Sequence, residues 1–303
     1  MRIIITGGTG LIGRQLAGSL ASDGHEVVVL SRNPSQAAGI PAGVRLERWD
    51  AKTSAGWGQL ANGAGGIINL AGESLGEGRW TEARKQAMLD SRVNAGKAVV
   101  EAIQAAGQKP KVLVQSSAVG YYGPRGSEEV TEDARPGTDF AAKICVDWEN
   151  STQPAEAMGV RRPIIRTGIV LSADGGALPR MLLPFKLFAG GKIGSGQQGF
   201  PWIHIADEIG AIRFLIDSAG ATGPFNLTAP NPPTNAGFTK AIGEAMGRPA
   251  AVPAPGFAMK LAFGEMSTVL LDGQRALPKR LLDLGYPFRF TDPVVALRNI
   301  LAK

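Results

Sequence analysis

A doubly wound α/β fold with a parallel sheet is predicted for this chain by three observations. Its first 32 residues read as strand, glycine turn, helix and strand. Strand-like and helix-like segments then alternate through most of the sequence. The chemically distinctive residues fall at the C-terminal ends of the predicted strands, where such sheets bind ligands.

The first unit carries the most information. Arg2 to Thr6 is a short β-branched run bounded by glycine, the pattern of a buried parallel strand. The sequence Gly7-Gly-Thr-Gly-Leu-Ile-Gly13 follows. Gly7 makes the tight turn, Gly10 lets the backbone approach a pyrophosphate, and Gly13 lets the next helix pack close to the sheet. The helix predicted from Leu11 to Asp23 places Ile12, Leu16 and Leu20 on one face, with Ala17 beside them, and Gly24 ends it. Its N-terminus offers N–H groups and a positive dipole end to phosphate. The second strand runs through Glu26-Val-Val-Val-Leu and ends in Ser31-Arg32. A site that prefers NAD usually carries an acidic residue there for the ribose 2′-hydroxyl. Arginine favours a 2′-phosphate through charge-assisted hydrogen bonds, and Ser31 adds a hydroxyl. The residues therefore point to NADP, with NAD the less favoured cofactor.

Further strands are predicted at Val44–Trp49, Gly66–Leu70, Lys111–Ser116 and Arg162–Leu171. Helices are predicted at Trp80–Ala106, at Phe140–Met158 with a break at Pro154, and at Asp207–Ser218. From Gly190 the chain becomes loop-rich, and after Pro230 Pro-bounded segments predict a cap over the cofactor edge. The expected organisation is a nucleotide-binding domain over residues 1–250 and a small C-terminal domain over 251–303.

Composition narrows the function classes. The chain has 303 residues, 44% of them hydrophobic and 19% charged, as in ordinary globular proteins. A net charge of +6 invites a nucleic-acid reading, but the basic residues are scattered, with one small cluster at Arg275–Arg280. The sequence thus predicts no nucleic-acid partner, and the charge suits an anionic cofactor or substrate. No stretch is long and apolar enough to span a membrane, and Met1 leads straight into a strand, so a cytoplasmic protein without a targeting segment is expected. Two histidines far apart and one cysteine predict no metal site. Cys145 reads as a buried structural thiol, Trp202 as cap core, His204 as a packing histidine, and His25 as an exposed turn residue. The acidic run Glu128-Glu129 with Glu132-Asp133 reads as a solvated loop.

Further motifs are Asn69-Leu-Ala-Gly-Glu73, Ser116-Ser-Ala-Val-Gly-Tyr-Tyr-Gly123, Arg166-Thr-Gly-Ile-Val-Leu171, Phe200-Pro-Trp-Ile-His-Ile205 and Gly273-Gln-Arg-Ala-Leu-Pro-Lys-Arg280. With the glycine loop, they make the chain resemble the extended short-chain dehydrogenase/reductase superfamily over essentially its full length. Within it the chain resembles the epimerase family proteins, which are like nucleoside-diphosphate-sugar epimerases and carry a small C-terminal domain of unknown function. The resemblance implies that Thr9, Gly10, Leu11 and Ile12 meet the pyrophosphate, that Ser31 and Arg32 meet the 2′-phosphate, and that Leu70, Ala71 and Gly72 line the adenosine ribose and nicotinamide side. Arg92 is a further phosphate-contact candidate. It also implies a homodimer, with the helix ending near Ala106 and the helix from Phe140 pairing across a two-fold axis.

The superfamily's usual chemistry uses Ser, Tyr and Lys. The Tyr moves a proton while hydride moves to or from the nicotinamide, and Lys supports the Tyr. Ser117 matches the Ser and Lys143 best matches the Lys, but four residues before Lys143 stands Asp139. The only tyrosines are Tyr121, Tyr122 and Tyr286, and no Tyr-x-x-x-Lys exists. Three readings follow. Tyr121 or Tyr122 supplies the proton; Asp139 or His204 does so; or the protein binds NADP without the usual turnover. The predicted activity is an NADP-dependent oxidoreductase or epimerase acting on a small polar molecule, against an NADP-binding regulatory protein with a degenerate catalytic site.

Overall fold

The computed structural model describes residues 1–302. In chain order its elements are β1 (Arg2–Thr6), α1 (Leu11–Ser22), β2 (Glu26–Ser31), β3 (Val44–Arg48), β4 (Gly66–Asn69), α2 (Glu82–Ala105), β5 (Val112–Ala118), β6 (Glu129–Val130), α3 (Phe140–Ser151), α4 (Pro154–Ala157) and β7 (Pro163–Thr167). There follow β8 (Ile169–Leu171), α5 (Leu178–Lys186), β9 (Trp202–His204), α6 (Ile205–Asp217), β10 (Gly223–Leu227), α7 (Asn235–Met246), α8 (Gly256–Phe263), α9 (Thr268–Leu271), β11 (Arg275–Ala276), α10 (Lys279–Asp283) and α11 (Pro293–Leu301). The predicted α/β class and doubly wound parallel sheet are the observed ones. Seven parallel strands run in the order β10-β7-β5-β4-β1-β2-β3. The chain winds outward from β1 through β2 and β3, then returns to β4 on the other side. The strand order thus reverses between β1 and β4, which is where such sheets open a crevice.

β1 is apolar on both faces because both faces are covered. Ile3 and Ile5 pack with Leu16, Leu20 and Ile212 from α1 and α6, while Ile4 packs with Ala95, Val99 and Ile103 from α2. Each such fully buried side chain contributes about 1.5–3 kcal/mol. The β1–α1–β2 unit is the predicted one, with Leu16, Ala17 and Leu20 buried.

Two predicted elements are divided. The strand expected over Arg162–Leu171 breaks at Gly168, where a Cβ would lie 2.3 Å from the Pro201 carbonyl oxygen. The Gly168 N–H reaches the Leu227 oxygen at 3.0 Å and the next N–H, from Ile169, reaches Pro201 at 2.7 Å. The chain thereby leaves the large sheet, and β8 pairs with β9 instead. The helix expected over Phe140–Met158 ends at Ser151, and Pro154 opens the short α4.

The cap has its own core of Leu178, Phe185, Trp202, Phe238, Leu297 and neighbours. It is also stitched to the sheet. β11 pairs with β6, the Thr228 hydroxyl donates to the Ala276 oxygen at 2.9 Å, and Asn226 Nδ2 donates to Leu277 at 2.9 Å. Among the described residues no helix is long and apolar enough to cross a membrane.

Candidate functional site

A cleft of about 740 Å³ opens at the reversal in strand order. The ends of the first four strands line it, through Gly7, Thr9 and Gly10, then Leu30 to Asn33, then Trp49 to Lys52, then Leu70 to Glu73. Each glycine of the loop has its own reason to be there. Gly7 has φ +67°, and a Cβ on it would lie 2.7 Å from the Leu70 carbonyl. On Gly13 a Cβ would come within 2.5 Å of the Gly7 oxygen. The face of Gly10 is open: a Cβ there would meet only that same oxygen, at 3.3 Å. No side chain caps the N-terminus of α1, so its first-turn N–H groups remain available to an anion at the cleft. Leu11 lines a second cleft along α1 together with Arg14, Gln15 and Pro41, Ile12 is half-buried, and Gly13 is buried against the loop.

A buried polar ladder shapes the cleft's far wall. The Thr6 hydroxyl donates to Asn69 Oδ1 at 2.6 Å and accepts from the Ala71 N–H at 3.2 Å, while Asn69 Nδ2 donates to Gln115 Oε1 at 2.9 Å. These bonds tie the ends of β1, β4 and β5 together and hold the Leu70–Gly72 backbone against the crevice. Asn69 opens the Asn69–Glu73 motif, but its bonds to Thr6 and Gln115 join residues remote in sequence. Arg92 lies directly behind Gly72, whose missing Cβ would sit 3.0 Å from the Arg92 Cζ. Its guanidinium stacks on Trp148 at 4.9 Å, with Nη1 donating to the Met88 oxygen at 3.0 Å. Among the described residues its Nε has no partner, and burial lowers its pKa. The backbone of Gly72 stands between this buried cation and the cleft.

At the other end the chemistry is open. Ser31 is half-buried at the end of β2, and its Oγ accepts from the Asn33 N–H at 3.3 Å. Arg32 is exposed on the cleft and forms no ion pair among the described residues. The turn after β3, which carries no motif in the sequence, adds Asp50, Ala51 and Lys52 to the same wall.

Beyond the cleft, at the ends of β5 and β7, the polar groups bind one another. The Ser117 hydroxyl donates to Glu149 Oε1 at 2.6 Å, and Glu149 forms a two-pronged ion pair with Arg166 at 2.9 and 3.1 Å. Burial works against the Arg166 charge, but the Glu149 carboxylate outweighs it and raises its pKa. Arg166 Nη1 also donates to the Tyr122 hydroxyl at 3.2 Å and to the Glu132 carbonyl at 3.1 Å. The Tyr122 hydroxyl in turn donates to Asn226 Oδ1 at 2.6 Å. Burial pushes the Tyr122 phenol up to about 12.

The sequence matches the NAD dependent epimerase/dehydratase family over residues 3–228. The chain belongs to that family. Residues 254–300 match a domain of unknown function, DUF1731. The epimerase family protein YfhF of Bacillus subtilis is 42% identical over 303 residues, covering 100% of this chain and 98% of the relative. An epimerase family protein of Staphylococcus aureus, SAB0724c, is 39% identical, covering 99% of both. Among solved structures, the human epimerase family protein SDR39U1 with NADPH superposes with a TM-score of 0.88 at 35% identity, covering 100% of both chains. A nucleoside-diphosphate sugar epimerase from Corynebacterium glutamicum gives a TM-score of 0.79 at 36% identity, over 99% of this chain and 58% of that one. A UDP-galactose 4-epimerase at 18% identity shares the fold.

Within this epimerase-family fold, the catalytic candidates separate. Ser117 and Tyr122 are buried, and their hydroxyls are held in the network just described. Tyr121 is half-buried; its ring stacks on Arg166 with 3.4 Å between the guanidinium carbon and the ring centre, and its hydroxyl has no protein hydrogen bond among the described residues. Lys143 points outward and pairs with Asp147 at 2.8 Å, a solvated helix pair rather than a partner of Ser117. Asp139 caps α3, its Oδ1 accepting from the Ala142 N–H at 2.9 Å. His204 is a packing residue, as read. It is buried, stacks on Phe290 at 3.8 Å between ring centres, and caps α6 by accepting from the Ala206 N–H at 3.0 Å. Cys145 is buried as expected, and burial pushes its thiol up to about 11.

The acidic run departs from the solvated-loop reading at two positions. Glu129 lies in β6 and pairs with Arg275 at 2.8 Å. Glu132 is buried, accepts from the Asn226 N–H at 3.0 Å and the Arg280 N–H at 3.3 Å, and its pKa is raised by burial. The helices expected to pair across a dimer axis, α2 and α3, pack against each other within the chain. Their exposed positions include Gln86, Lys97 and Lys143, while Asp90 of α2 lines the cleft.

Proposed function

We infer that this protein is an NADP(H)-dependent oxidoreductase or epimerase that acts on a small polar substrate. One observation carries the reading. The wall where an NAD-preferring site would place a carboxylate instead presents Ser31 and Arg32, which has no ion pair among the described residues. The NADPH in the human relative's crystal structure supports it. The residues present fit such a cofactor. The open face of Gly10 and the uncapped start of α1 would receive the pyrophosphate, Ser31 and Arg32 the 2′-phosphate, and the Leu70–Gly72 backbone would line the adenosine ribose and nicotinamide side.

When bound, the nicotinamide supplies or accepts hydride at a carbon that bears oxygen. The chain's task is to orient that carbon and to move a proton at its oxygen. Tyr121 is the tyrosine with an uncommitted hydroxyl, so it takes the proton role. Ser117 acts through Glu149, which holds Arg166, whose guanidinium packs on the ring of Tyr121.

A second reading, an NADP-binding protein without turnover, is favoured by the engagement of Ser117, Tyr122 and Lys143 with other side chains. Fluorescence titration with NADPH and NADH tests cofactor choice, with tighter NADPH binding expected. A screen following NADPH oxidation over small carbonyl compounds then separates the two readings. Turnover lost in Tyr121→Phe supports the enzyme, while turnover that survives unchanged in that variant removes Tyr121 from its role.

A further inference from the structure

We propose that Lys52 is a second cation for the 2′-phosphate, held in place by a strained turn after β3; this rests on the NADP reading above. β3 lies beside β2, with Ser31 paired to Arg48 and the Trp49 N–H bonded to the Ser31 oxygen at 3.0 Å. The chain that leaves β3 therefore emerges next to Ser31 and Arg32. Ser31, Arg32, Asn33, Asp50, Ala51 and Lys52 all line one end of the cleft.

The turn is built to present this lysine. Ala51 has φ +62°, one of two non-glycine residues with positive φ among the described residues. A Cβ in that region is strained, and such strain persists only where the surroundings impose it. Here they do. Asp50 Oδ1 accepts from the Lys52 N–H and the Thr53 N–H, both at 2.8 Å, and Oδ2 accepts from the Thr53 hydroxyl at 2.8 Å. The Thr53 N–H, then that of Lys52, hold the Asp50 carboxyl below the usual carboxylate range. The Thr53 carbonyl is gripped by two buried indoles, Trp49 Nε1 at 2.7 Å and Trp57 Nε1 at 3.0 Å. The turn is thus anchored in the core before any ligand arrives, which lowers the ordering cost of binding.

The electrostatics agree. Asp50 is the nearest carboxylate in sequence, yet its oxygens serve the turn's own donors and form no ion pair with the Lys52 ammonium. Two cations, Arg32 and Lys52, therefore face the same end of the cleft without an anionic partner among the described residues. A dianionic phosphate monoester answers both, the arginine by a planar fork and the lysine as a point charge. The sugar hydroxyl of NADH carries no charge to answer.

The test is fluorescence titration of NADPH and NADH into wild type, Lys52→Met, Lys52→Arg and Arg32→Ala, with 2′,5′-ADP and 5′-ADP as competing probes. Lys52→Met is expected to weaken NADPH and 2′,5′-ADP by roughly fivefold to tenfold, to leave NADH and 5′-ADP within about twofold, and to be largely rescued by Lys52→Arg. Equal weakening of NADPH and NADH, or no change in either, overturns the proposal. If Arg32→Ala abolishes the preference for NADPH while Lys52→Met does not touch it, this proposal alone fails. If wild type binds NADPH and NADH alike, the NADP reading fails with it.

Discussion

The two ends of the β-strand edge are built on opposite principles. At the ends of β1, β2 and β3 the wall is glycine backbone, an uncapped helix start and exposed cations. At the ends of β5 and β7, Ser117, Glu149, Arg166, Tyr122 and Asn226 satisfy one another out of contact with water. The first region leaves its polar groups for a ligand, whereas the second spends them on the fold. Burial is what divides them, since an unpaired charge is cheap at an exposed strand end and costs several kcal/mol in the interior.

The sharpest way to break this contrast is to remove the central cation of the buried region. Arg166→Met leaves Glu149 charged, buried and unpaired, and should cost about 3–5 kcal/mol in urea unfolding. A loss below about 1 kcal/mol would show that the network is wetter than the structure places it.

A pH titration of stability comes next. Burial pushes the Glu208 carboxyl up to about 8 from an ordinary 4.5, and among the described residues Thr167 supplies its one side-chain hydrogen bond, at 2.9 Å. The folded state then holds a proton that the unfolded state has released, so stability falls as pH rises from about 4.5 to about 8, then levels off. Glu208→Gln should flatten that decline, gaining on the order of a few kcal/mol relative to wild type above the window. Parallel pH curves for the two proteins would contradict the assignment.

The two adjacent tyrosines give a smaller, paired test. Tyr122→Phe strips Arg166 and Asn226 of a buried partner and should cost about 1–3 kcal/mol. Tyr121→Phe removes a hydroxyl with no protein hydrogen bond among the described residues and should stay within about 0.5 kcal/mol. Thermal melts of both variants, run side by side, check the difference.

The legible parts of this molecule were those fixed by local pattern. The β1–α1–β2 unit follows from apolar periodicity and glycine spacing, and Ser31-Arg32 from its place at a strand end. The division of Arg162–Leu171 was not visible, because Gly168 is demanded by Pro201 and Thr228, which are remote in sequence. Glu132 reads like its solvated neighbours, since only β10 and Arg280 folding onto it reveal its burial. The Asp50–Lys52 turn depends on two tryptophans that pack beneath it, so its residues carried no motif. Lys143 was a case with a usable signal. Ala142, Ile144, Cys145 and Trp148 mark the inward face of α3, and Lys143 lies off it with Asp147.

The most direct test of the central claim, that the open end is kept for NADP(H), combines binding and stability in one variant. Arg32→Ala should leave urea unfolding of the cofactor-free protein within about 0.5 kcal/mol, because the Arg32 side chain makes no hydrogen bond or ion pair among the described residues. It should weaken NADPH binding by roughly 10- to 100-fold and leave NADH unchanged. A variant that loses stability yet keeps its preference for NADPH would contradict the account.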